Sequence, residues 1–225
     1  MIPSRGHLFF VADLGSAELS TPDRHHAERV LRLRVGEEVT LGDGRGGWRR
    51  AVWTGNGLEP SGAVQTEGRP DPVLTVGFAL VKGSKPELVV QKLTELSIDR
   101  IVPFAAERSV VRWDDHKVDR AHERWVATAR EASMQSRRAW LPEIAPVTSF
   151  DAASTSAVRA DRDGRALVAG DITVLVGPEG GWSEDEVAAV PEAVSLESGV
   201  LRAETAALAA GLLMSAFREG RVHGG

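Results

Sequence analysis

The stretch that decides the fold is LVGPEGGWS, residues 175–183. An apolar strand pattern runs directly into a Gly/Pro turn, and Ser183 followed by Glu186 is the capping-box pattern that starts a helix. Ligands of parallel α/β sheets bind beyond the carboxyl ends of strands, and glycines let backbone amides approach a ligand closely. A tight β–α turn without a ligand explains the same residues. The spacing matches neither the dinucleotide G-x-G-x-x-G pattern nor the G-K-[ST] of a phosphate loop.

On both sides of this stretch, apolar runs alternate with helical patterns from residue 73 onwards. Runs typical of buried strands are VLTVGFALV (73–81), IVPFA (101–105), ITVLVG (172–177) and VSLES (194–198). Helices are predicted after Pro86, over 115–139, from Ser183 and over 203–217. The alternation predicts an α/β domain with helices on both faces of a parallel sheet. Residues 151–165 are predicted as a surface helix or loop, and residues 166–170 as a short strand or turn.

The first seventy residues follow a different pattern. Short strand-like segments separated by glycine-rich turns are found at residues 7–14, 35–44, 46–55 and 62–68, and Thr21-Pro22 signals a short helix. This pattern predicts a small barrel-like β domain. The change of pattern at Pro70 and Pro72 predicts two domains, residues 1–71 and 72–225.

Composition excludes several classes of protein. The chain has 225 residues, of which 42% are hydrophobic and 26% charged, as in soluble globular proteins. It has no cysteine, which excludes disulfides, thiolate metal sites, iron–sulfur clusters and a cysteine nucleophile. No metal is predicted, and no H-E-x-x-H motif is present. No apolar run reaches about 18 residues, and the N-terminus lacks signal-peptide features, so we expect a cytoplasmic protein without a membrane partner.

Charge is unevenly distributed along the chain. The net charge is −5, but residues 73–140 carry 12 basic and 9 acidic side chains, whereas residues 141–225 carry 6 and 13. The overall acidity argues against nonspecific coating of a polyanion. The overall acidity remains compatible with binding of a folded RNA to one basic face of the protein. Such a face is expected in the middle third of the chain, residues 73–140.

Three further segments carry polar groups suited to binding. LESGVLRAETA (196–206) leaves a strand and enters a helix, so Arg202 could form a structural ion pair or grip a carboxylate, phosphate or base edge. EASMQSRR (131–138) is typical of a solvated helix end, but its amide, hydroxyl and guanidinium groups could equally bind a nucleobase edge and a phosphate. Adjacent His25 and His26 point in different directions on a helix, which disfavours a metal site. Arg29, Arg32 and Arg34 come next in the chain, and they are compatible either with a solvated face or with binding of a phosphate backbone.

Taken together, these segments resemble the bacterial small-subunit ribosomal RNA uracil-N3 methyltransferase family (RsmE), within the SPOUT superfamily of trefoil-knotted methyltransferases. The resemblance covers essentially the whole chain. Residues 25–44 are similar to the family's PUA-like RNA-binding domain, and residues 80–111 to the start of its catalytic domain. EASMQSRR, LVGPEGGWSEDEV (175–187) and VLRAETAAL (200–208) are similar to three later signatures.

The resemblance implies a knotted C-terminal domain, S-adenosylmethionine (SAM) as methyl donor, a homodimer, and 16S rRNA of the small ribosomal subunit as substrate. The cofactor would be held mostly by backbone groups of two loops, 177–181 and 196–202. The implied cofactor-binding residues are Val176, Gly177, Pro178, Glu179, Gly180, Gly181, Leu196, Ser198, Gly199, Leu201, Arg202, Thr205 and Ala206. The implied substrate-binding residues are Arg29, Arg32, Glu131, Gln135, Ser136, Arg137 and Arg138.

The chain departs from the family pattern at several positions. Where the family usually has L-G-x-R, residues 196–199 read LESG, so a glycine is replaced by Glu197 and an arginine by Gly199. Ser97 and Arg137 replace family glycines. A backbone contact at Glu197 would survive the change, whereas any side-chain role of the family arginine is lost.

Methylation of uracil N3 requires loss of the N3 proton and stabilisation of negative charge on the flanking carbonyl oxygens. Arg202, Arg138 and backbone amides near Gly180 are candidate donors. Glu179 and Glu204 are candidate bases, with proton loss to water as the alternative. Three other functions stay open: a SPOUT enzyme acting on ribose 2′-oxygen or another base, a noncatalytic RNA-binding assembly protein, and a nucleotide-binding enzyme, which the absence of a partner lysine disfavours.

Overall fold

A computed structural model describes residues 2–80, 85–109, 115–197 and 199–222. The chain divides into two units. The first comprises Met1–Arg69 together with Arg130–Leu141, and the second comprises Pro70–Ala129 together with Pro142–Gly225. The second unit contains the stretch 175–183.

The first unit is built on a four-stranded sheet in chain order. Its strands are β1 (His7–Phe10), β2 (Glu38–Gly42), β3 (Gly47–Trp53) and β4 (Leu58–Thr66). β1 pairs with β2 in parallel, and the other pairs are antiparallel. A short helix, α1 (Thr21–His25), follows the N-cap Ser20 and continues into a π-helical turn, His26–Val30. Buried Phe9, Leu41 and Trp53 lie in the core between these elements.

The second unit contains a larger sheet in which all strand pairings are parallel. The strand order is β11-β9-β10-β5-β6-β7, and β8 also pairs with β6. The strands are β5 (Thr75–Ala79), β6 (Arg100–Ala105), β7 (Glu143–Ile144), β8 (Thr148–Ser149), β9 (Val158–Ala166), β10 (Thr173–Val176) and β11 (Ala193–Ser195). The helices are α2 (Lys85–Glu95), α3 (Asp115–Ser136), α4 (Phe150–Ala153), α5 (Glu184–Ala189) and α6 (Ala203–Arg218).

Both faces of this sheet are covered, which explains the continuous apolar runs of its central strands. Along β10, Val174 and Val176 belong to one core with Trp125 of α3, whereas Leu175 between them belongs to another core with Phe150 of α4. Helices α2, α3 and α6 cover the first face. The predicted α/β fold with a parallel sheet is therefore confirmed.

One predicted segment is wrong. Residues 151–165 were expected to form a surface helix or loop, but most of them belong to β9, which follows the short α4. Several predicted boundaries are displaced: α3 ends at Ser136 instead of residue 139, β4 begins at Leu58 instead of residue 62, and β1 ends at Phe10 instead of residue 14. Among the described residues, no helix combines the length and apolar character needed to cross a bilayer.

Candidate functional site

A cavity of about 500 Å³ opens in the second unit beside the stretch 175–183. Three walls surround it. The loop after β10 supplies Gly177, Pro178, Glu179 and Gly181, the segment before α6 supplies residues 200–203, and the middle of β9 supplies residues 160–162. Two segments that lie far apart in sequence therefore converge at the carboxyl end of β10.

The loop after β10 is fixed at both ends. Gly181 donates its N–H to the Pro178 carbonyl at 2.9 Å and has a φ of +73°, a conformation that favours glycine. At the start of α5 the predicted capping box is present, with the Ser183 N–H donating to Glu186 Oε2 at 2.9 Å and the Glu186 N–H to Ser183 Oγ at 3.2 Å. The buried Glu186 carboxylate also accepts the N–H of Glu107 at 2.9 Å.

Arg202 lines the cavity from the segment before α6. It is the N-cap residue of α6, its side chain makes no capping hydrogen bond, and it is exposed at the cavity. Within the described ranges, no hydrogen bond or ion pair joins its guanidinium to another residue. A planar cation with free donors facing a cavity can bind a carbonyl oxygen or a phosphate.

The β9 wall is the part of the site that sequence reasoning missed. Asp161 and Arg162 line the cavity, and the buried Arg159 orients this strand by donating to the Val190 carbonyl at 3.0 Å and pairing with Asp161. The only sequence signal was the alternation of charges in VRADRDGR. Such a charged segment does not resemble a buried strand, and it can form one in this sheet because its charged side chains pair with each other or with neighbours.

A buried carboxylate outside the cavity lining ties β9 to its neighbours. Arg165 of β9 donates to both oxygens of Asp171, at 2.7 and 2.8 Å, and pairs with Glu192 just before β11 at 3.4 Å. The Arg165 hydrogen bonds lower the pKa of Asp171, aided by the N–H of Val168. These contacts tie β9 to the residues that precede β10 and β11.

A smaller cavity of about 160 Å³ adjoins the first and shares Asp161, Leu201 and Ala206 with it. Leu196, Glu197 and Gly199 complete its wall, so two departures from the family pattern lie directly at the site. Gly199 is exposed, and a Cβ atom placed there would have no atom within 4 Å.

Most of the residues implied to bind cofactor line one or both cavities: Val176, Gly177, Pro178, Glu179, Gly181, Leu196, Gly199, Leu201, Arg202 and Ala206. Gly180 and Thr205 do not line them, and Ser198 lies outside the described residues. Among the three candidate catalytic residues, Arg202 and Glu179 line the larger cavity, whereas Glu204 lies half-buried in the first turn of α6.

The seven residues implied to bind substrate all lie in the first unit. Arg29, Arg32, Glu131 and Gln135 are exposed. Ser136 donates to the Ala132 carbonyl at 2.7 Å, and Arg137 to the Pro3 carbonyl at 2.9 Å. Arg138 is half-buried, and its N–H donates to the Ser133 carbonyl at 3.0 Å. The described part of the chain contains no group of three or more metal-binding side chains.

Comparison with protein families gives two matches in chain order. Residues 19–54 match an RNA methyltransferase PUA domain, and residues 69–215 match an RNA methyltransferase domain. The second match covers more than half of the chain and contains all three walls of the cavity.

Similar proteins agree with these matches. The ribosomal RNA small subunit methyltransferase E of Mycobacterium bovis is 35% identical over 90% of this chain and 88% of its own length. The Bacillus subtilis protein of the same name is 29% identical over 82% of this chain and 83% of its own length. A crystal structure of the Neisseria gonorrhoeae enzyme bound to SAM has a TM-score of 0.76 and 27% identity, covering 94% of this chain and 98% of that one. The resemblance found in the sequence is thus confirmed, and the chain belongs to the ribosomal RNA small subunit methyltransferase E family.

Proposed function

We propose that this SAM-dependent rRNA methyltransferase methylates N3 of a specific uridine in the 16S rRNA of the small ribosomal subunit, and that it works in the cytoplasm as a homodimer. The observation that carries the proposal is the convergence of the two signature loops, at Gly177–Gly181 and at Val200–Arg202, on one cavity lined by the exposed guanidinium of Arg202, which pairs with no other described residue. The family to which the chain belongs supplies the reaction class.

The cavity suits SAM in size and in chemistry. Its volume of about 500 Å³ lies within the roughly 300–1,000 Å³ typical of small-molecule sites. Gly177 and Gly181 leave backbone groups accessible, and the half-buried Leu201 and Ala206 offer apolar surface for an adenine ring. We therefore assign cofactor binding to the loop after β10, the segment before α6 and the β9 wall. When bound, SAM supplies an electrophilic methyl group on a cationic sulfur, so no metal is required.

The protein must then hold a uracil ring with N3 facing the methyl group. Positioning of the two reactants accounts for a large part of such accelerations. Arg202 can donate hydrogen bonds to a uracil carbonyl oxygen, where negative charge develops as N3 loses its proton. Glu179 lines the same cavity and is the carboxylate placed to accept that proton; transfer to water is the alternative.

The target base must be unpaired or flipped, because base pairing hides N3. We assign recognition of the surrounding RNA to the first unit, where exposed Arg29 and Arg32 can contact phosphates. The helix end 131–138 belongs to the same unit and carries the groups suited to contact a base.

The decisive experiment incubates the protein and methyl-labelled SAM with small ribosomal subunits that lack the modification, followed by mapping of the label. Label on N3 of a single uridine supports the proposal. Label on a ribose oxygen or on another base would assign the chain a different RNA methylation. Binding of SAM and of the subunit without any transfer would indicate a noncatalytic assembly protein.

A further inference from the structure

Trp182 closes the loop after β10 and lines the larger cavity. Its ring stacks on Phe104 with centroids 6.2 Å apart and an interplanar angle of 7°, and it meets Phe150 edge-on at 5.7 Å. Phe104 and Phe150 are buried in the core on the α4 side of the sheet. The indole is thus held on a rigid aromatic base while its remaining surface faces the cavity.

The indole N–H joins the loop to the β9 wall. It donates to the Ala160 carbonyl of β9 at 3.0 Å. The ladder between β9 and β10 pairs Val158 with Val174 and Arg159 with Leu175, and it extends no further. The Trp182 hydrogen bond therefore supplies the next link, which joins β9 to the loop after β10 at the point where β9 begins to line the cavity.

The same ring also determines how the loop leaves β10. A Cβ atom at Gly177 would lie 2.9 Å from the indole, closer than real Cβ contacts allow. Since φ at Gly177 is not positive, glycine is required there for space and not for backbone conformation. One side chain thus touches the loop at Gly177 and the β9 wall at Ala160, on two sides of the cavity.

We propose that Trp182 is a positioning residue that sets the spacing between the β9 wall and the loop after β10, and thereby the affinity for cofactor. The inference rests on the proposed placement of SAM in this cavity. The indole N–H carries the effect, because the ring's apolar contacts alone would not fix the position of the Ala160 carbonyl.

The test compares Trp182→Phe with wild-type protein. Phenylalanine keeps an aromatic ring on Phe104 but removes the N–H together with one ring of the indole, as the control variant below does at its own position, so we expect the Kd for SAM, measured by calorimetry, to rise about threefold to tenfold. Intrinsic fluorescence gives a second readout that does not depend on activity: SAM binding should change the emission of the wild-type protein, and Trp182→Phe should lose most of that change.

The matched control is Trp125→Phe, since Trp125 is fully buried against Phe78 on the α3 side of the same sheet. We expect this variant to lose thermal stability but to keep the wild-type Kd and the fluorescence change. An unchanged Kd in Trp182→Phe, or an equal rise in both variants, would overturn the inference. Failure of the wild-type protein to bind SAM would overturn it together with the cofactor assignment, whereas SAM binding without methyl transfer would overturn only the proposed activity.

Discussion

The guanidinium of Arg202 faces the cavity because the backbone at this residue is still extended, with φ −69° and ψ 155°, before α6 begins. Substitution Arg202→Ala removes the donor proposed for the uracil carbonyl without removing any hydrogen bond or ion pair between side chains of the described residues. We expect transfer to small ribosomal subunits to fall by about a hundredfold or more, as for other oxyanion donors. Single-turnover transfer of labelled methyl measures the effect.

Arg221→Ala is the control for this substitution, since Arg221 is exposed and its guanidinium pairs, among the described residues, with nearby Glu219 alone. Both variants should keep wild-type thermal stability. A wild-type rate in Arg202→Ala would remove this residue from the mechanism.

Asp171 makes stability depend on pH. Arg165 lowers the pKa of Asp171. The stabilisation that the Asp171 carboxylate contributes to the folded state is therefore fully present above the ordinary pKa of 3.8, and it is lost as the pH falls through the lowered pKa of the folded state. Asp171→Asn should lower the free energy of unfolding at pH 7 by about 1–3 kcal/mol, because a buried hydrogen-bonded charge is lost. Denaturant unfolding at pH 7 and below pH 3.8 should show the difference from wild type shrinking in acid.

Asp163→Asn provides the comparison on the same strand, because Asp163 is exposed and only 3.5 Å from the equally exposed Arg162. This variant should stay within about 0.5 kcal/mol of wild type. A difference between Asp171→Asn and wild type that grows in acid would contradict the assigned direction of the pKa shift.

Among the secondary-structure elements, β10 and β9 show what local sequence can and cannot predict. β10 was predicted correctly because an apolar run, a Gly/Pro turn and a capping box follow one another within fifteen residues of chain. β9 was missed because its side chains alternate in charge, and only the folded chain shows that Arg159, Asp161 and Arg165 neutralise one another or their neighbours. The cavity wall formed by Asp161 and Arg162 was missed for the same reason.

Helix α6 carries a packing constraint at Gly211. A Cβ atom at this position would lie 2.6 Å from Leu93 Cδ2 of α2, and Ile98 and Leu96 are also close. We expect Gly211→Leu to destabilise the protein by about 1–3 kcal/mol, because the buried contact between the helices has no space for a larger side chain. Thermal and denaturant unfolding measure the loss.

Ala188→Leu adds a similar side chain to the exposed face of α5 and should leave stability almost unchanged. Equal stability of Gly211→Leu and wild type would mean that α2 and α6 are not in close contact at this point.

In the whole molecule, the site depends on strand order, which local patterns do not specify. Gly177 and Arg202 are separated by the two elements α5 and β11, yet both reach one cavity because β9 lies between β10 and β11 in the sheet. Sequence signals predicted each loop separately, and only the family resemblance brought them together. The trefoil knot stays a prediction from that resemblance, because apolar runs and helix-capping motifs carry no information about the path of the chain through a knot.

The assembly is also a property of the whole molecule, and its prediction starts from the face of α6 opposite the core. Ala207, Ala210 and Met214 are buried in the core, whereas Leu212 is 56% exposed. The half-buried Ala209 and Ala216 lie three residues before and four residues after Leu212 on the helix, and such small side chains beside an exposed leucine allow a second copy to approach closely. We therefore expect sedimentation equilibrium to give twice the 24.1 kDa of one chain, and Leu212→Glu to weaken association by at least about tenfold, as for an interface residue worth 1.4 kcal/mol or more.

Val64→Glu places the same charge at an exposed valine of β4 in the first unit and should leave the dimer intact. Circular dichroism of both variants separates dissociation from unfolding. A wild-type monomer at micromolar concentration would contradict the homodimer itself. A fully dimeric Leu212→Glu would contradict only the placement of the interface on α6, because a buried glutamate without a partner costs too much free energy for the contact to survive.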